Sequence, residues 1–264
     1  MDVQTIVVFL ATGAAAGVLA GLFGVGGGLI VVPALAFILP GLGTAPEVVM
    51  QSAIGTSLAI VGLTAISSTR SHHARGGVLW PVFRGLAPGI VLGSLAGATI
   101  AHHVGSNVLR LCVGIGALLI SIQMLADIAP KPTRTVPGTA GLGIAGAVIG
   151  TLSALIGIGG GSLTVPYLSL HNVDMKRAVG TSAACGIPIA WAGAAGFAWN
   201  GLGMPGLAPW SLGYIDLAAF AGIAAMSVLT APLGAKLAHG LPPKRLKQAF
   251  ALFLALVSVR MLSS

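Results

Sequence analysis

The stretch Gly21-Leu-Phe-Gly-Val-Gly-Gly-Gly-Leu-Ile-Val-Val-Pro33 lies inside an apolar run that extends from residue 5 to residue 40. A ~30 Å hydrocarbon core is crossed by about 20 helical residues, so the run is too long for one span. The glycine cluster at 24–28 divides it, because glycine accepts conformations that a helix interior excludes. The reading is a helical hairpin or re-entrant pair with a glycine tip. A helix restarting over residues 29–39 presents unpaired N–H groups and the positive end of its dipole at that tip, which favours an anion. Pro33 lies a turn and a half into that helix and adds a kink.

Nearly the same wording returns in Leu155-Ile-Gly-Ile-Gly-Gly-Gly-Ser-Leu-Thr-Val-Pro166, within the apolar run 139–170. An offset of 133 residues lays Gly13, Gly17, Gly24, Gly26, Gly27, Gly28 and Pro33 on Gly146, Gly150, Gly157, Gly159, Gly160, Gly161 and Pro166. Ala53-x-Gly55-Thr56-Ser57 falls on Ala178-x-Gly180-Thr181-Ser182 at an offset of 125. Gly97, Ala101-His102 and Met124-Leu125 fall on Gly234, Ala238-His239 and Met261-Leu262 at 137. Three blocks kept in one order indicate a duplication. The repeats are residues 1–128 and 139–264, joined by the Pro-rich charged linker 129–138, in one integral membrane domain.

Composition agrees with this reading. Hydrophobic residues make up 56 % of the 264 and charged residues only 7 %, against about 25 % charged in a soluble domain. With a mean hydropathy of +1.00, the chain is an all-α polytopic membrane protein and not a soluble enzyme. Met1-Asp2-Val3-Gln4 lacks the basic start of a signal peptide. The net charge of +8 is scattered through short loops, where it sets topology and does not mark a nucleic-acid surface. Cys112 and Cys185 fall in apolar stretches and read as core thiols.

Equivalent loops differ in charge. Residues 70–84 carry Arg70, Arg75 and Arg84, and their counterpart 200–213 carries no Lys or Arg; Lys176 and Arg177 oppose a turn at 40–47 that has only Glu47. Lys244, Arg245 and Lys247 oppose a turn with Arg110 alone. That pattern suits two inverted repeats of about five segments each, the first two of each forming the hairpin. The basic loops and the linker are then cytoplasmic, and both termini lie outside.

The two glycine stretches and the paired Gly-Thr-Ser tripeptides resemble the TauE/SafE sulfite exporter family (4-toluene sulfonate uptake permease-like transporters) over essentially the whole chain. The resemblance implies a multi-pass protein of a bacterial or archaeal inner membrane that carries sulfite or small organosulfur anions such as sulfonates. Its expected activity is export by alternating access, with the anion held between helix N-termini at the two tips. The candidate substrate-binding residues are Gly26, Gly27, Gly28, Thr56 and Ser57 in the first half, and Gly159, Gly160, Gly161, Ser162, Thr181 and Ser182 in the second. Hydroxyls at these places donate to sulfonate oxygens without a buried charge, and each could equally serve helix packing or back-bonding. Gln51 and Lys176 are repeat-equivalent, and Lys176 with Arg177 reads first as a topology signal.

No catalytic residue, metal site or cofactor is expected. The chain has no Gly-x-Ser-x-Gly and no His-Glu-x-x-His. Gly141-Leu-Gly-Ile-Ala-Gly146 matches a dinucleotide pattern without its strand–turn–helix setting. Gly13/Gly17/Gly21 and Gly89/Gly93/Gly97 read as packing stripes, which leave a homodimer open. His72-His73 and His102-His103 read as solvated loop pairs, and Asp127 and Asp216 as helix-edge residues. The competing readings are an anion channel of the same fold and a carrier of non-sulfur organic anions.

Overall fold

The computed structural model describes residues 3–23, 27–126, 135–239 and 243–263. Among them, ten α-helices follow in order: α1 (Val3–Phe23), α2 (Gly28–Ile38), α3 (Val49–Ala74), α4 (Trp80–His103), α5 (Ser106–Leu125), α6 (Thr139–Ile156), α7 (Gly161–Leu170), α8 (Met175–Asn200), α9 (Leu217–His239) and α10 (Pro243–Ser263). A two-stranded antiparallel turn, β1 (Ser211–Leu212) and β2 (Ile215–Asp216), precedes α9. Seven of these helices are long and apolar enough to cross a membrane: α1, α3, α4, α5, α6, α8 and α9. Helix α10 has a comparable length but opens with Lys244, Arg245 and Lys247. Helices α2 and α7, of 11 and 10 residues, are about 15 Å long and reach only halfway through a bilayer. The glycine clusters thus produce half-helices, each of which carries its proline inside.

Helices α3 and α8 form the centre. They cross antiparallel, with Gly55 against Phe197, Gly193 against Leu58 and Gly62 against Trp191. In α3, 83 % of the spanning window is buried, against 22 % in α1. Leu119, Leu229, Leu252 and Leu256 on the surrounding helices are exposed, as a lipid-facing surface requires.

The outer helices pair through small residues. Helix α1 runs parallel to α9, placing Phe9, Gly13 and Gly17 beside Gly222, Ile223 and Ser227. Helix α6 runs parallel to α4, and side chains on Gly89 and Gly93 would strike the carbonyls of Gly143 and Ala147. Helices α5 and α10 are antiparallel and exchange two bonds. Ser121 Oγ donates to the Ala251 carbonyl at 2.7 Å, and Ser258 Oγ to the Gly114 carbonyl at 2.8 Å. Donors and acceptors of this pair are separated by the same offset of 137. The Gly141–Gly146 pattern lies inside α6, with no strand beside it.

Because α3 and α8 are antiparallel, the α1–α2 pair leads into one end of the bundle and the α6–α7 pair into the other. Arg70, Arg75, Lys176, Arg177 and Lys247 all fall at one end, the basic end. The opposite end is tightly closed. There Tyr214, 1 % exposed, meets His102 Nδ1 through its hydroxyl at 3.0 Å. Gln51 Nε2 donates to the Val104 carbonyl at 3.0 Å, and Gln51 Oε1 accepts from Ser106 Oγ at 2.9 Å. Both histidine pairs close helices and do not sit in loops: His72 and His73 end α3, and His102 and His103 end α4. Helix α4 packs along α8 for much of its length, whereas α9, in the equivalent place, meets α3 over a short stretch only.

Candidate functional site

A cavity of about 510 Å³ runs from the middle of the bundle toward the basic end, between α3, α7 and α8 on one side and α1, α5, α9 and α10 on the other. Its deep end is the second glycine tip. Gly159, Gly160, Ser162 and Ser182 line it together, and Gly161 begins α7 there. The first intrahelical bond of α7 runs from the Thr164 N–H to the Gly160 carbonyl at 2.9 Å. The N–H groups of the three residues before Thr164 therefore have no partner within the helix, and no side chain caps them. The Ser162 and Ser182 hydroxyls are buried without a hydrogen-bond partner, and Ser182 is 1 % exposed. An unpaired buried hydroxyl costs about 1–3 kcal/mol, a cost that a ligand oxygen would remove.

The tip is built from backbone that tolerates no side chain. Gly157 adopts the left-handed conformation, φ 74°, at the end of α6. A Cβ on Gly160 would meet the Ser182 carbonyl oxygen at 2.8 Å and the Gly186 nitrogen at 3.0 Å. The sequence therefore needs glycine here for close approach of α7 to α8.

The first tip is different. Gly27, at φ 75°, caps α2, and its carbonyl accepts from Ile30 and Val31. Gly28 abuts the Gly157 carbonyl and Val61. Neither residue lines the cavity, and Gly26 lies outside the described residues. The two tips touch each other, so the cavity lies against the second tip and not between Gly27–Gly28 and Gly159–Gly161.

Three of the four expected hydroxyls in the Gly-Thr-Ser tripeptides also lie off the cavity. Thr56 Oγ1 accepts from the Asp216 N–H at 2.9 Å, and Thr181 Oγ1 from the Leu79 N–H at 2.9 Å. These are equivalent bonds, because Leu79 and Asp216 each precede the first residue of α4 and α9. Each threonine therefore fastens a helix start belonging to the other half. Ser57 Oγ donates to the Gly157 carbonyl at 3.4 Å and ties α3 to the second tip. Only Ser182 of this set faces the cavity.

Ser169, Gln123, His72 and Lys247 also line the cavity, and Ser169 Oγ is buried and unpartnered. The available signal for Ser169 was its spacing, seven residues after Ser162, which puts both on one helix face. Among the described residues the cavity walls contain no carboxylate. Asp216, 3 % exposed, instead caps α9, accepting from Ala218 and Ala219 at 3.0 and 2.9 Å. Burial pushes its carboxyl above the ordinary aspartate range, partly offset by those two N–H groups. Among the described residues no three His, Cys, Asp or Glu side chains gather as a metal site.

The chain is 37 % identical over 257 residues to a probable membrane transporter protein of Haemophilus influenzae, covering 97 % of each. It is 33 % identical over 205 residues to the probable membrane transporter protein YunE of Bacillus subtilis, covering 68 % of this chain and 73 % of that one. A probable membrane transporter protein of Methanocaldococcus jannaschii is 27 % identical over 263 residues, with 93 % and 91 % covered. No solved structure matches the chain. Residues 9–261 match the sequence profile described as sulfite exporter TauE/SafE, and with ten helices, seven of them of spanning length, the chain is a multi-pass membrane protein that belongs to the TauE/SafE family of transporters.

Proposed function

We propose that this transporter carries sulfite or a small organosulfur anion outward by alternating access, and that the second glycine tip holds its head group. The observation that carries the reading is the convergence of the uncapped N-terminus of α7 with the unpartnered, buried Ser182 hydroxyl at the closed end of the cavity. Backbone N–H groups, a helix dipole and hydroxyls replace the hydration of an oxyanion without a buried full cation. The site is one-sided: Ser162 and Ser169 correspond to Leu29 and Ala36 in the first half.

The two halves act as inverted repeats, residues 1–128 and 139–264, with a cytoplasmic linker at 129–138. The reciprocal Ser121–Ala251 and Ser258–Gly114 bonds, and the Thr56–Asp216 and Thr181–Leu79 bonds, support this pseudo-symmetry. In this conformation the cavity faces the basic, cytoplasmic end, and α4 against α8 seals the other. Export follows when α9 closes on α3 and α4 parts from α8. A negative-inside potential assists a leaving monoanion by about 2.3 kcal/mol per 100 mV. The protein resides in a bacterial or archaeal inner membrane.

The test is labelled sulfite flux in proteoliposomes at controlled potential, competed by sulfate, thiosulfate, taurine and sulfoacetate. Saturable flux with counterflow is expected, and Ser182→Ala should raise KM about ten-fold, the loss of one hydrogen bond to a charged group. Flux that never saturates would favour a channel. Absence of flux for every anion with folded protein removes the sulfur-anion assignment.

A further inference from the structure

The cavity is layered. Helix α7 lines it from Ser162 at the deep end to Ser169 near the basic end, a rise of about 10 Å over seven residues. Helix α3 runs alongside, from Val61 through Ala65 to His72 in its last turn. Between the two serines the walls are mostly apolar, formed by Ala65, Ile120, Val165 and Phe250; Thr64 and Ser68 of α3 add two hydroxyls there, that of Thr64 donating to the Val61 carbonyl at 3.0 Å. At the basic end polarity returns in Ser169, His72, Gln123 and Lys247, which come from four different helices. The Ser169 hydroxyl is buried and has no partner.

A polar floor, a largely apolar waist and a polar, cationic mouth leave room beyond a small head group held at the floor. We infer that Ser169, His72, Gln123 and Lys247 form a second recognition subsite for the far end of an elongated organic anion bearing a second anionic group about 10 Å from the first. The apolar waist takes the hydrocarbon body, and the ammonium of Lys247 with the Gln123 amide reads the distal group. This inference rests on the proposed head-group site at the second tip.

The experiment is competition of labelled substrate flux in proteoliposomes by alkanedisulfonates from ethane to octane, each beside the monosulfonate of equal chain length. A disulfonate long enough to span both subsites should compete about ten-fold better than its monosulfonate, and the shortest should show no such preference. Lys247→Gln and Gln123→Ala should each erase the preference while leaving monosulfonate competition unchanged. Equal competition by mono- and disulfonates at every length overturns the second subsite and leaves the head-group site standing. So does a Lys247→Gln variant that weakens both series equally, since the lysine then supplies only a diffuse field. If neither series competes with folded protein, the head-group site fails and the second subsite with it.

Discussion

Helices α4 and α9 occupy equivalent positions in the two halves and meet their surroundings differently. Helix α4 lies along α8 and is locked at the far end by His102, Tyr214 and Gln51, whereas α9 stands away from α3 and leaves the cavity between them. A duplicated sequence would, if every contact were duplicated, give a symmetric molecule with a gap at both ends or at neither. The parts that stay symmetric are those that fasten the halves together: Thr56 with Thr181, and Ser121 with Ser258. The parts that differ concern opening. Tyr214, which fills the closed end, has Gly77, a residue without a side chain, as its counterpart at the basic end. On the alternating-access reading proposed above, the shared contacts are the hinges and the differing ones the gates.

The largest expected effect tests the unequal tips. Gly160→Val pushes a side chain into backbone on two sides, the Ser182 carbonyl and the Gly186 nitrogen, and neither can yield as a flexible side chain would. Flux should be abolished. Among the described residues the equivalent Gly27 has only Ala20 Cβ near its would-be side chain, at 3.6 Å, but it sits at φ 75°. Gly27→Ala should cost about 1–2 kcal/mol of conformational strain, seen as lower thermal stability in detergent, and keep most of the flux. Equal loss of flux in both variants would mean that both tips hold substrate.

The next effect sharpens the difference between open and closed ends. Ala65 lines the cavity, and its counterpart Ala190 is fully buried. In a background with Cys112 and Cys185 replaced by alanine, Ala65→Cys should react with a membrane-impermeant thiol reagent from the basic side and be protected by substrate. Ala190→Cys should stay silent until the transporter turns over. Reaction of both residues from opposite sides, without turnover, would indicate a continuous channel.

A smaller effect probes the shared fastenings. Thr56→Val and Thr181→Val each leave one N–H at a helix start without its acceptor, and should lower stability by about 1 kcal/mol. The two losses should be alike, and KM should not move. A ten-fold rise in KM for either variant would place that threonine at the substrate after all.

Much of this architecture was legible because it rests on long-range composition and on repeated glycines. The half-helix α2 begins within a residue of the expected restart at 29, and α7 begins at the equivalent glycine, since a glycine cluster in an apolar run leaves a helix little choice. The site was less legible. A hydroxyl in a repeated Gly-Thr-Ser tripeptide carries no mark of whether it faces a cavity or a neighbouring backbone, and Thr56, Thr181 and Ser57 took backbone partners from segments 100 to 160 residues away. His72 and Lys247 looked like ordinary loop and topology residues. The fold brings them to facing sides of one cavity.

The smallest effect concerns how the two equivalent helix starts are capped. Helix α4 starts after Leu79 with a proline in its first turn and no side-chain cap, whereas α9 starts after Asp216, whose carboxylate accepts from Ala218 and Ala219. Desolvation dominates at Asp216, so its carboxyl titrates above the ordinary value despite those bonds. The folded protein then holds this proton more tightly than the unfolded chain. Its contribution to stability is fully present below the ordinary aspartate value of about 4 and is lost as pH rises through the folded one. Asp216→Asn keeps a capping oxygen and cannot ionise, so it should shift stability by only a few tenths of a kcal/mol and flatten that pH dependence. Asp216→Ala removes the cap and should cost about 1 kcal/mol. Thermal melting across this pH range compares the three proteins directly. A wild-type melting temperature that rises with pH, by an amount Asp216→Asn abolishes, would show that the two N–H bonds outweigh burial and that α9 is held by an ionised cap for which α4 has no equivalent.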